Sequence, residues 1–203
     1  MAEDLKNPAV KPVPKSHRWI LFVSGPTASG KSSVAKYLAD KLNLKFVEGD
    51  GNTDYEKFHP KSNVDKMSRG EPLTDQDRLG WLQALHEHAI HHPKGPGADH
   101  LVVTCSALKR QYRDLLRQGS ENAGDLRVHF LHLDALEEVL RQRAAARKGH
   151  FAGSALVHSQ FEALERPSND ERDVLTISVD QTVEEVQREA LARVTELMDE
   201  DTA

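Results

Sequence analysis

The amino-acid sequence predicts an α/β fold, a three-layer α/β/α sandwich around a five-stranded parallel sheet. Five short apolar segments alternate with segments in which apolar residues recur every three or four positions. This alternation is typical of parallel strands joined by right-handed helical crossovers, and in such sheets ligands bind beyond the carboxyl ends of the strands. The residues that follow each strand are therefore the first candidates for a functional site. The predicted strands are 19–23, 45–48, 101–104, 128–133 and 174–179.

Composition limits the class of protein. The 203 residues suit one domain, 18–203, preceded by a flexible tail, 1–17, which has three prolines and no apolar periodicity. A net charge of −5 provides no basic field for a nucleic-acid backbone, and no apolar segment is long enough to span a membrane. We therefore expect a small-molecule substrate and neither nucleic acid nor membrane as a partner. The single cysteine, Cys105, excludes an intramolecular disulfide and favours a cytoplasmic location.

Two capping motifs mark the starts of helices. Thr74 with Asp77, and Thr182 with Glu185, have the spacing of a capping box. The first motif predicts a helix that ends before Pro93, and the second predicts the last helix of the chain. The apolar residues expected to face the core from these helices are Leu79, Leu82, Leu85, Ala89, Val183, Val186, Ala190, Val194 and Leu197.

The remaining helices are predicted from apolar spacing and single caps. The helix after the first strand has its apolar residues at Val34, Leu38 and Leu42. We expect Ser106 to cap a helix that ends before Gly119, and Asp134 to cap the next, with Leu136 among its apolar residues. A short helix is expected over 154–164. The polar segment 51–73 contains Gly and Pro residues, which indicates an irregular or partly helical excursion.

The segment from Gly25 to Ser32 reads Gly-Pro-Thr-Ala-Ser-Gly-Lys-Ser and lies between the first strand and the first helix. In this context the glycines let backbone N–H groups point at phosphate oxygens, Lys31 reaches the β and γ phosphates, and the Ser32 hydroxyl ligates Mg²⁺. The pattern predicts a nucleoside triphosphate site, with an ordinary solvent loop as the alternative. The residues expected to bind the nucleotide here are Gly25, Pro26, Thr27, Ala28, Ser29, Gly30, Lys31, Ser32 and Ser33.

Two further positions suit phosphoryl transfer. Asp50 ends the second strand, where its carboxylate can accept a proton from a substrate hydroxyl or hold a metal-bound water; the alternative is a turn aspartate. Arg143 and Arg147 lie in a basic stretch after the fourth strand, which favours a lid at about 143–160 that excludes water. A solvated helix face is the alternative for that stretch. We assign Lys31, Asp50 and Arg147 to catalysis, and Ser32 and Asp50 to the metal.

Arg78 and Lys109 are candidates for binding an anionic acceptor, with ordinary surface charges as the alternative. A zinc site over His86–His92 is disfavoured because the histidine that the zincin pattern needs would fall at Ile90. The sequence has no guanine-recognition signature, and its third strand ends without a metal-binding aspartate. These absences disfavour a GTPase and a motor ATPase.

Several longer runs of residues follow the predicted strands. On them the chain resembles the gluconokinases, small P-loop kinases akin to shikimate kinase and the nucleoside monophosphate kinases, over residues 19–194. The runs are Gly49-Asp50; His59-Pro60-x-x-Asn63-x-x-Lys66-Met67-x-x-Gly70-x-Pro72-Leu73-x-Asp75-x-Asp77-Arg78-x-x-Trp81-Leu82; Cys105-Ser106-Ala107-Leu108-Lys109-Arg110-x-Tyr112-Arg113-Asp114; Arg143-x-x-x-Arg147-x-Gly149-His150-Phe151; and Ser159-Gln160-Phe161-x-x-Leu164-Glu165-x-Pro167. Such runs are far more specific than a phosphate loop alone.

The resemblance implies a P-loop kinase fold with a mobile lid, and ATP and Mg²⁺ as cofactors. It implies transfer of the γ-phosphate to the 6-hydroxyl of D-gluconate, which gives 6-phospho-D-gluconate for the pentose phosphate pathway, by a cytosolic enzyme that is commonly a homodimer. The implied site residues are Asp50 and His59 for substrate hydroxyls, Arg78 and Lys109 for the carboxylate, Arg143 and Arg147 as lid cations, Asp180 and Gln181 for adenine, and Ser106, His150 and Gln160 for substrate.

Two features depart from the family pattern. Pro26 removes one N–H donor from the phosphate loop. The residues 51–58 separate Asp50 from His59, whereas the family runs almost directly between them. Either the insertion is a surface bulge that restores His59 to its usual place, or the substrate pocket has changed. The alternatives to a gluconokinase are a kinase of another small sugar acid and a nucleotide-binding regulatory protein without turnover.

Overall fold

The five predicted strands form one parallel sheet. This computed structural model describes residues 17–50, 58–69, 71, 73–92, 100–120, 125–146 and 153–200. The strands are β1 (Arg18–Ser24), β2 (Lys45–Glu48), β3 (Leu101–Thr104), β4 (Leu126–Asp134) and β5 (Val174–Ser178). Their order in the sheet is β2-β3-β1-β4-β5. β1 is therefore central, and the residues that continue it into the phosphate loop lie between the ends of β3 and β4.

Helices cover both faces of the sheet. The helices are α1 (Lys31–Leu42), α2 (Lys61–Ser68), α3 (Asp75–Ile90), α4 (Arg110–Arg117), α5 (Glu137–Ala146), α6 (Gly153–Glu162) and α7 (Val183–Glu200). Leu21 and Val23 of β1 pack into a core with α1, α5, α6 and α7, whereas Ile20 and Phe22 pack into a second core with α3 and α4. This alternation buries β1 on both faces, as expected for a central parallel strand. The three-layer α/β/α sandwich is confirmed.

Both predicted capping boxes are present. The Asp77 backbone N–H donates to the Thr74 hydroxyl at 3.3 Å, and the Thr74 N–H donates to the Asp77 carboxylate at 2.9 Å. Thr182 and Glu185 exchange the same two bonds at 3.3 and 3.0 Å. These bonds satisfy N–H groups that the first helical turn leaves without partners.

Two predicted caps are wrong. Ser106 does not cap α4, because Ala107 takes a left-handed φ of 39° and the helix begins only at Arg110, with Lys109 at its N-cap. Asp134 is the last residue of β4 rather than a cap of α5, and its carboxylate accepts a hydrogen bond from Arg166. In both cases the strand and its following turn extend further than local spacing indicates.

Three apolar residues predicted to face the core are exposed. They are Leu79, Leu136 and Val183. Leu79 and Val183 lie in the first two turns of their helices, and Leu136 precedes its helix. At these positions the chain is still approaching the sheet. In α3, Trp81 is buried two positions after Leu79, beside Leu82 and Leu85. The core-facing stripe of α3 therefore starts at the indole ring.

Among the helices that the structure describes, none combines the length and the apolar character needed to cross a bilayer. Most of the predicted tail, residues 1–16, lies outside the described residues. The same holds for residues 147–152 of the predicted lid.

Candidate active site

The ends of three neighbouring strands meet at one edge of the sheet. The Gly25 N–H donates to the Ser106 carbonyl at 3.2 Å, and the Cys105 N–H donates to the Val23 carbonyl at 3.1 Å. These bonds join the segment after β1 to the segment after β3. Asp50, two residues beyond β2, completes the group on the far side of β3.

The phosphate loop has the backbone that its glycines predict. Gly25 has a φ of 133°, and a Cβ atom there would lie 2.7 Å from the Leu133 carbonyl oxygen, so only glycine fits. Gly30 is the N-cap of α1 with a φ of 96°. Ala28 has a φ of 64°, a left-handed conformation that an alanine adopts at a cost of about 1 kcal/mol. The loop therefore curls tightly in front of the N-terminus of α1, where an anion is favoured.

Lys31 connects the phosphate loop to Asp50. Its ammonium lies 3.4 Å from an Asp50 carboxylate oxygen and donates to the Pro26 carbonyl at 3.1 Å. That carboxylate oxygen, Oδ2, is buried and accepts no hydrogen bond from the described residues. It therefore keeps coordination capacity beside Lys31, in a site that also holds the substrate-binding candidates.

Mg²⁺ prefers hard oxygen donors. In proteins it is usually bound by one or two protein oxygens together with phosphates and waters. The buried Asp50 oxygen and the Ser32 hydroxyl at the start of α1 provide such a set. Over the part of the chain that the structure describes, three or more His, Cys, Asp or Glu side chains nowhere gather into a metal-binding group. The residues present thus fit a magnesium ion held jointly with a nucleotide, rather than a metal enclosed by protein ligands alone.

A shallow, open depression lies beside the phosphate loop. It is lined by Ser29, Gly30, Ser33, Val34, Arg143, Val179, Gln181, Val183 and Val186. The Arg143 guanidinium donates to the Val179 carbonyl at 2.6 Å, which holds it at the wall. Asp180 is exposed and is not among the lining residues, and its N–H donates to the Ser178 hydroxyl. The apolar wall next to the loop is of the kind that accepts a nucleotide base.

His59 is connected through Trp81 to Gly49, the residue before Asp50. Its ring stacks on Trp81 with centroids 4.6 Å apart, and the Trp81 indole N–H donates to the Gly49 carbonyl at 3.2 Å. Burial, and secondarily the positive charge of Arg78, lower the pKa of His59 to about 4. His59 is therefore a neutral imidazole at physiological pH. Residues 51–57 of the insertion lie outside the described residues, and the place of His59 in a substrate pocket stays a prediction.

The two predicted acceptor cations have different surroundings. Both lie over the ring of Tyr112, Arg78 at 5.9 Å and Lys109 at 5.8 Å from its centroid. Lys109 is paired with Asp75, at 2.8 and 2.7 Å from its two oxygens. No carboxylate among the described residues forms an ion pair with Arg78. The charge of Arg78 acts on His59 and on Cys105, and Cys105 is also influenced by Asp50 and Lys31.

Gln160 contacts the phosphate loop. Its side-chain oxygen accepts the Thr27 N–H at 2.6 Å, which joins α6 to the residue after Pro26. Ser106 takes part through its backbone carbonyl, as described above. The predicted residues Arg147 and His150 lie outside the described residues.

The sequence reasoning missed several residues that support this site. Tyr112 donates its hydroxyl to Asp75 at 2.6 Å, and burial followed by this bond raises its pKa to about 12. His132 is fully buried beside Ser24, with 3.3 Å between its Nδ1 and the serine hydroxyl, and burial lowers its pKa to about 4. Both side chains pair with residues far away in the chain, so no local spacing indicated them. The only signal was that Tyr112 falls within a family run.

Arg113 is the largest missed contributor. It is fully buried and forms a two-pronged ion pair with Glu171 at 2.8 and 2.7 Å. Its remaining nitrogen donates to the carbonyls of Ala107 and Glu165, at 3.2 and 3.1 Å. One guanidinium thus holds the turn that carries Lys109 and the segment that follows α6.

Comparisons with known proteins agree with this arrangement. Residues 20–167 match the model of a family described as "AAA domain". The chain is 38% identical to a probable gluconokinase of Schizosaccharomyces pombe over 94% of its own length and 95% of that protein. It is 41% identical to the thermoresistant gluconokinase of Escherichia coli over 82% of its own length and 88% of that protein.

The solved structures give the same result. The fold matches the crystal structure of a gluconokinase from Sinorhizobium meliloti 1021 with a TM-score of 0.73 and 36% identity, over 95% of this chain and 100% of that one. A shikimate kinase from Aquifex aeolicus matches with a TM-score of 0.53 at 15% identity, over 86% of this chain and 95% of that one, which shows a shared fold alone.

Proposed function

Because the chain belongs to the gluconokinase family of P-loop kinases, we propose that it transfers the γ-phosphate of ATP to the 6-hydroxyl of D-gluconate. The products are ADP and 6-phospho-D-gluconate. The proposal includes Mg²⁺ as the metal, a cytoplasmic location, a role in the pentose phosphate pathway and a homodimer. It also includes one kinase domain over 18–203 with a flexible tail before it and a lid over about 143–160.

The position of Arg78 carries the proposal. A guanidinium without a carboxylate partner among the described residues acts electrostatically on His59 and on Cys105, and Cys105 is also influenced by Asp50 and Lys31. A planar guanidinium binds a carboxylate through two parallel hydrogen bonds, and a partly buried one is stabilised by such a partner. An acceptor with a carboxylate at one end and a hydroxyl at the other would therefore lie between Arg78 and the phosphate loop.

Different residues of the chain have different roles in phosphoryl transfer. Lys31 neutralises charge that develops on the transferred group, and the loop N–H groups hold the oxygens around it. Bound Mg²⁺ supplies further neutralising charge, and Ser32 and Asp50 are the residues that would hold it. Asp50 orients the acceptor hydroxyl and takes its proton, and the neutral ring of His59 offers an uncharged contact to a neighbouring hydroxyl. Arg143 and Gln181 bind the base side of the nucleotide, and Arg147 closes over the γ-phosphate.

An acceptor panel tests the function. We expect ATP-dependent ADP release with D-gluconate to exceed that with shikimate, other sugar acids and nucleoside monophosphates by at least about tenfold in kcat/KM. Faster turnover of shikimate or a nucleotide would overturn the assignment to gluconate. Tight ATP binding without release of ADP in the presence of any acceptor would favour a regulatory protein.

Replacing the acceptor cation tests the geometry. Arg78→Ala should raise the KM for gluconate by about tenfold to a hundredfold, with the KM for ATP little changed, because a charged hydrogen-bonded pair is lost. Arg188→Ala is the matched control, since Arg188 is exposed on α7 and bonds only its own helix. An unchanged gluconate KM in Arg78→Ala would remove Arg78 from the acceptor site.

A further inference from the structure

The cations around the acceptor site are compensated to different degrees. Lys31 faces Asp50 at 3.4 Å, and Lys109 is bound by both oxygens of Asp75. Arg78 alone of these three has no ion-pair partner in the described part of the chain. If charges are summed over these five side chains, the site has a net charge of about +1.

Asp75 is held in place by more than Lys109. The Tyr112 hydroxyl donates to it at 2.6 Å, and the Gln111 side-chain amide donates at 3.2 Å. The bonds from Lys109 and then Tyr112 lower the pKa of Asp75, so its carboxylate is ionised at every physiological pH. Lys109 and Arg78 both lie over the ring of Tyr112, at 5.8 and 5.9 Å from its centroid, so the paired and the unpaired cation share one aromatic contact.

The pair of Asp75 and Lys109 does little for the stability of the fold. The side chains are 49% and 22% exposed, and exposed ion pairs contribute about 0–1 kcal/mol. Its electrostatic effect on a bound anion is larger, because it determines whether the acceptor meets one positive charge or two. The side chains of this pair thus matter more for recognition than for folding.

We propose that Asp75 is a specificity-determining residue, which cancels the charge of Lys109 so that the site selects acceptors with a single negative charge. The inference rests on the proposed function only in taking the acceptor to be a sugar acid. A sugar monocarboxylate matches the one uncompensated cation. Relative to a site in which Lys109 is not neutralised, dicarboxylates and the phosphorylated product lose more binding energy than a monocarboxylate does, because the Coulomb energy grows with the charge of the ligand. The weaker binding of the product also assists its release.

Four versions of the full chain form a charge series. Lys109→Met leaves the site with a net charge near 0, and Asp75→Asn raises it to about +2. The unchanged protein and the double variant Asp75→Asn with Lys109→Met both have about +1. The Coulomb energy is proportional to the charge of the ligand. If a variant changes the affinity for a monoanion by a given factor, it should therefore change the affinity for a dianion by about the square of that factor.

The measurement is calorimetric binding of gluconate and of the six-carbon dicarboxylate D-glucarate to each version, at low and physiological ionic strength. Asp75→Asn should strengthen gluconate binding by about threefold and glucarate binding by about tenfold at low salt. Lys109→Met should shift both in the opposite direction, and the double variant should restore the original ratio. Inhibition by the phosphorylated product should strengthen in Asp75→Asn.

Asp170→Asn is the matched control. Asp170 forms an ion pair with Arg110 at 2.7 Å, and its substitution changes the net charge by the same amount without a contact to Tyr112, Lys109 or Arg78. An equal change of the glucarate-to-gluconate ratio in this control would overturn the proposal. So would an unchanged ratio in a folded Asp75→Asn protein, or a loss of gluconate binding in the double variant, which would mean that Lys109 binds the acceptor directly.

The binding series separates this inference from the proposed function. If gluconate binds but is not phosphorylated, the activity fails while the charge series still reports on Asp75. If turnover is normal and the binding ratio does not follow the series, only the role of Asp75 fails. Melting temperatures of all versions identify any variant that is unfolded, and in that case Lys109→Met provides the same test with the opposite sign.

Discussion

The proposed nucleotide half and the proposed acceptor half of the site are built differently. The nucleotide half, from Gly25 to Ser33, is one continuous segment whose chemistry lies largely in backbone N–H groups and left-handed turns. The acceptor half is assembled from side chains of separate elements. Arg78 and Lys109 lie over the ring of Tyr112, which is hydrogen-bonded to Asp75. His59 stacks on Trp81. The first half tolerates little change of backbone, whereas the second can be retuned by single side chains. Variants of each half should therefore fail in different ways.

The largest effect should come from the one side chain that joins the halves. Lys31→Ala should lower kcat by at least about a thousandfold, because the lost charge acts on the transition state. The melting temperature should change little, since the polar partners of Lys31 among the described residues are the Pro26 carbonyl and Asp50. Near-normal turnover in Lys31→Ala would contradict the assignment of the loop, and calorimetric binding of gluconate should persist.

Two glycines of the loop distinguish steric fit from backbone strain. Gly25→Ala should lower the free energy of unfolding by about 3 kcal/mol or more, because a Cβ atom would meet Leu133 at 2.7 Å in addition to the strained φ. Gly30→Ala should cost only about 1 kcal/mol, since nothing lies within 4 Å of the added atom. Denaturant unfolding of both variants gives the comparison, and equal losses would contradict it.

Acid should destabilise both halves through one buried histidine each, His132 behind the loop and His59 at the acceptor. Their folded-state pKa values of about 4 lie below the ordinary value of 6.5. The unfolded chain therefore binds more protons between these values, and stability falls as the pH drops from about 6.5 towards 4. We expect a loss of about 1–2 kcal/mol per histidine between pH 7 and pH 5.

Denaturant unfolding at several pH values measures this loss. His59→Asn and His132→Asn should each flatten the dependence, and His91→Gln, at an exposed position, serves as the comparison variant. The range is kept above pH 5, since Asp77, Asp170 and Glu171 have lowered pKa values of about 2 and lose their contribution at lower pH. An unaltered slope in both buried variants would contradict the assignment.

The smallest effect concerns Gln160, whose position in the fold does not show whether it belongs to the nucleotide half or to the acceptor half. Gln160 was predicted to bind substrate, but its side chain bonds the Thr27 N–H of the phosphate loop. Gln160→Ala should therefore raise the KM for ATP by about threefold and leave the KM for gluconate within twofold. The opposite pattern would return Gln160 to the acceptor half.

Local sequence signals predicted most of the fold. Apolar alternation located all five strands, and the capping boxes at Thr74 and Thr182 located two helix starts. The errors at Ser106 and Asp134 arose because a possible cap says nothing about how far the preceding strand or turn extends. Leu79 was misplaced because the bulkier Trp81 takes the core position.

The two halves of the site differed in predictability for a physical reason. The phosphate loop is local, so its spacing alone indicates its conformation. Asp75 and Tyr112 are 37 positions apart, and Arg113 and Glu171 are 58 apart. Such pairs have no periodicity, and only the fold brings them together. The positions of Arg78 and Lys109 in the sequence, and then the family resemblance, indicated both cations, but neither indicated that only Lys109 is paired with a carboxylate.

The ion pair of Arg113 and Glu171 has a consequence for the synthesis of the chain. Arg113 is translated long before Glu165 and Glu171, which supply its carbonyl and carboxylate partners. A buried guanidinium without these partners is strongly unfavourable, so we expect α4 to complete its packing only after the segment that carries Glu165 and Glu171 has been translated. The final packing of a helix near the middle of the chain therefore depends on residues that are synthesised late.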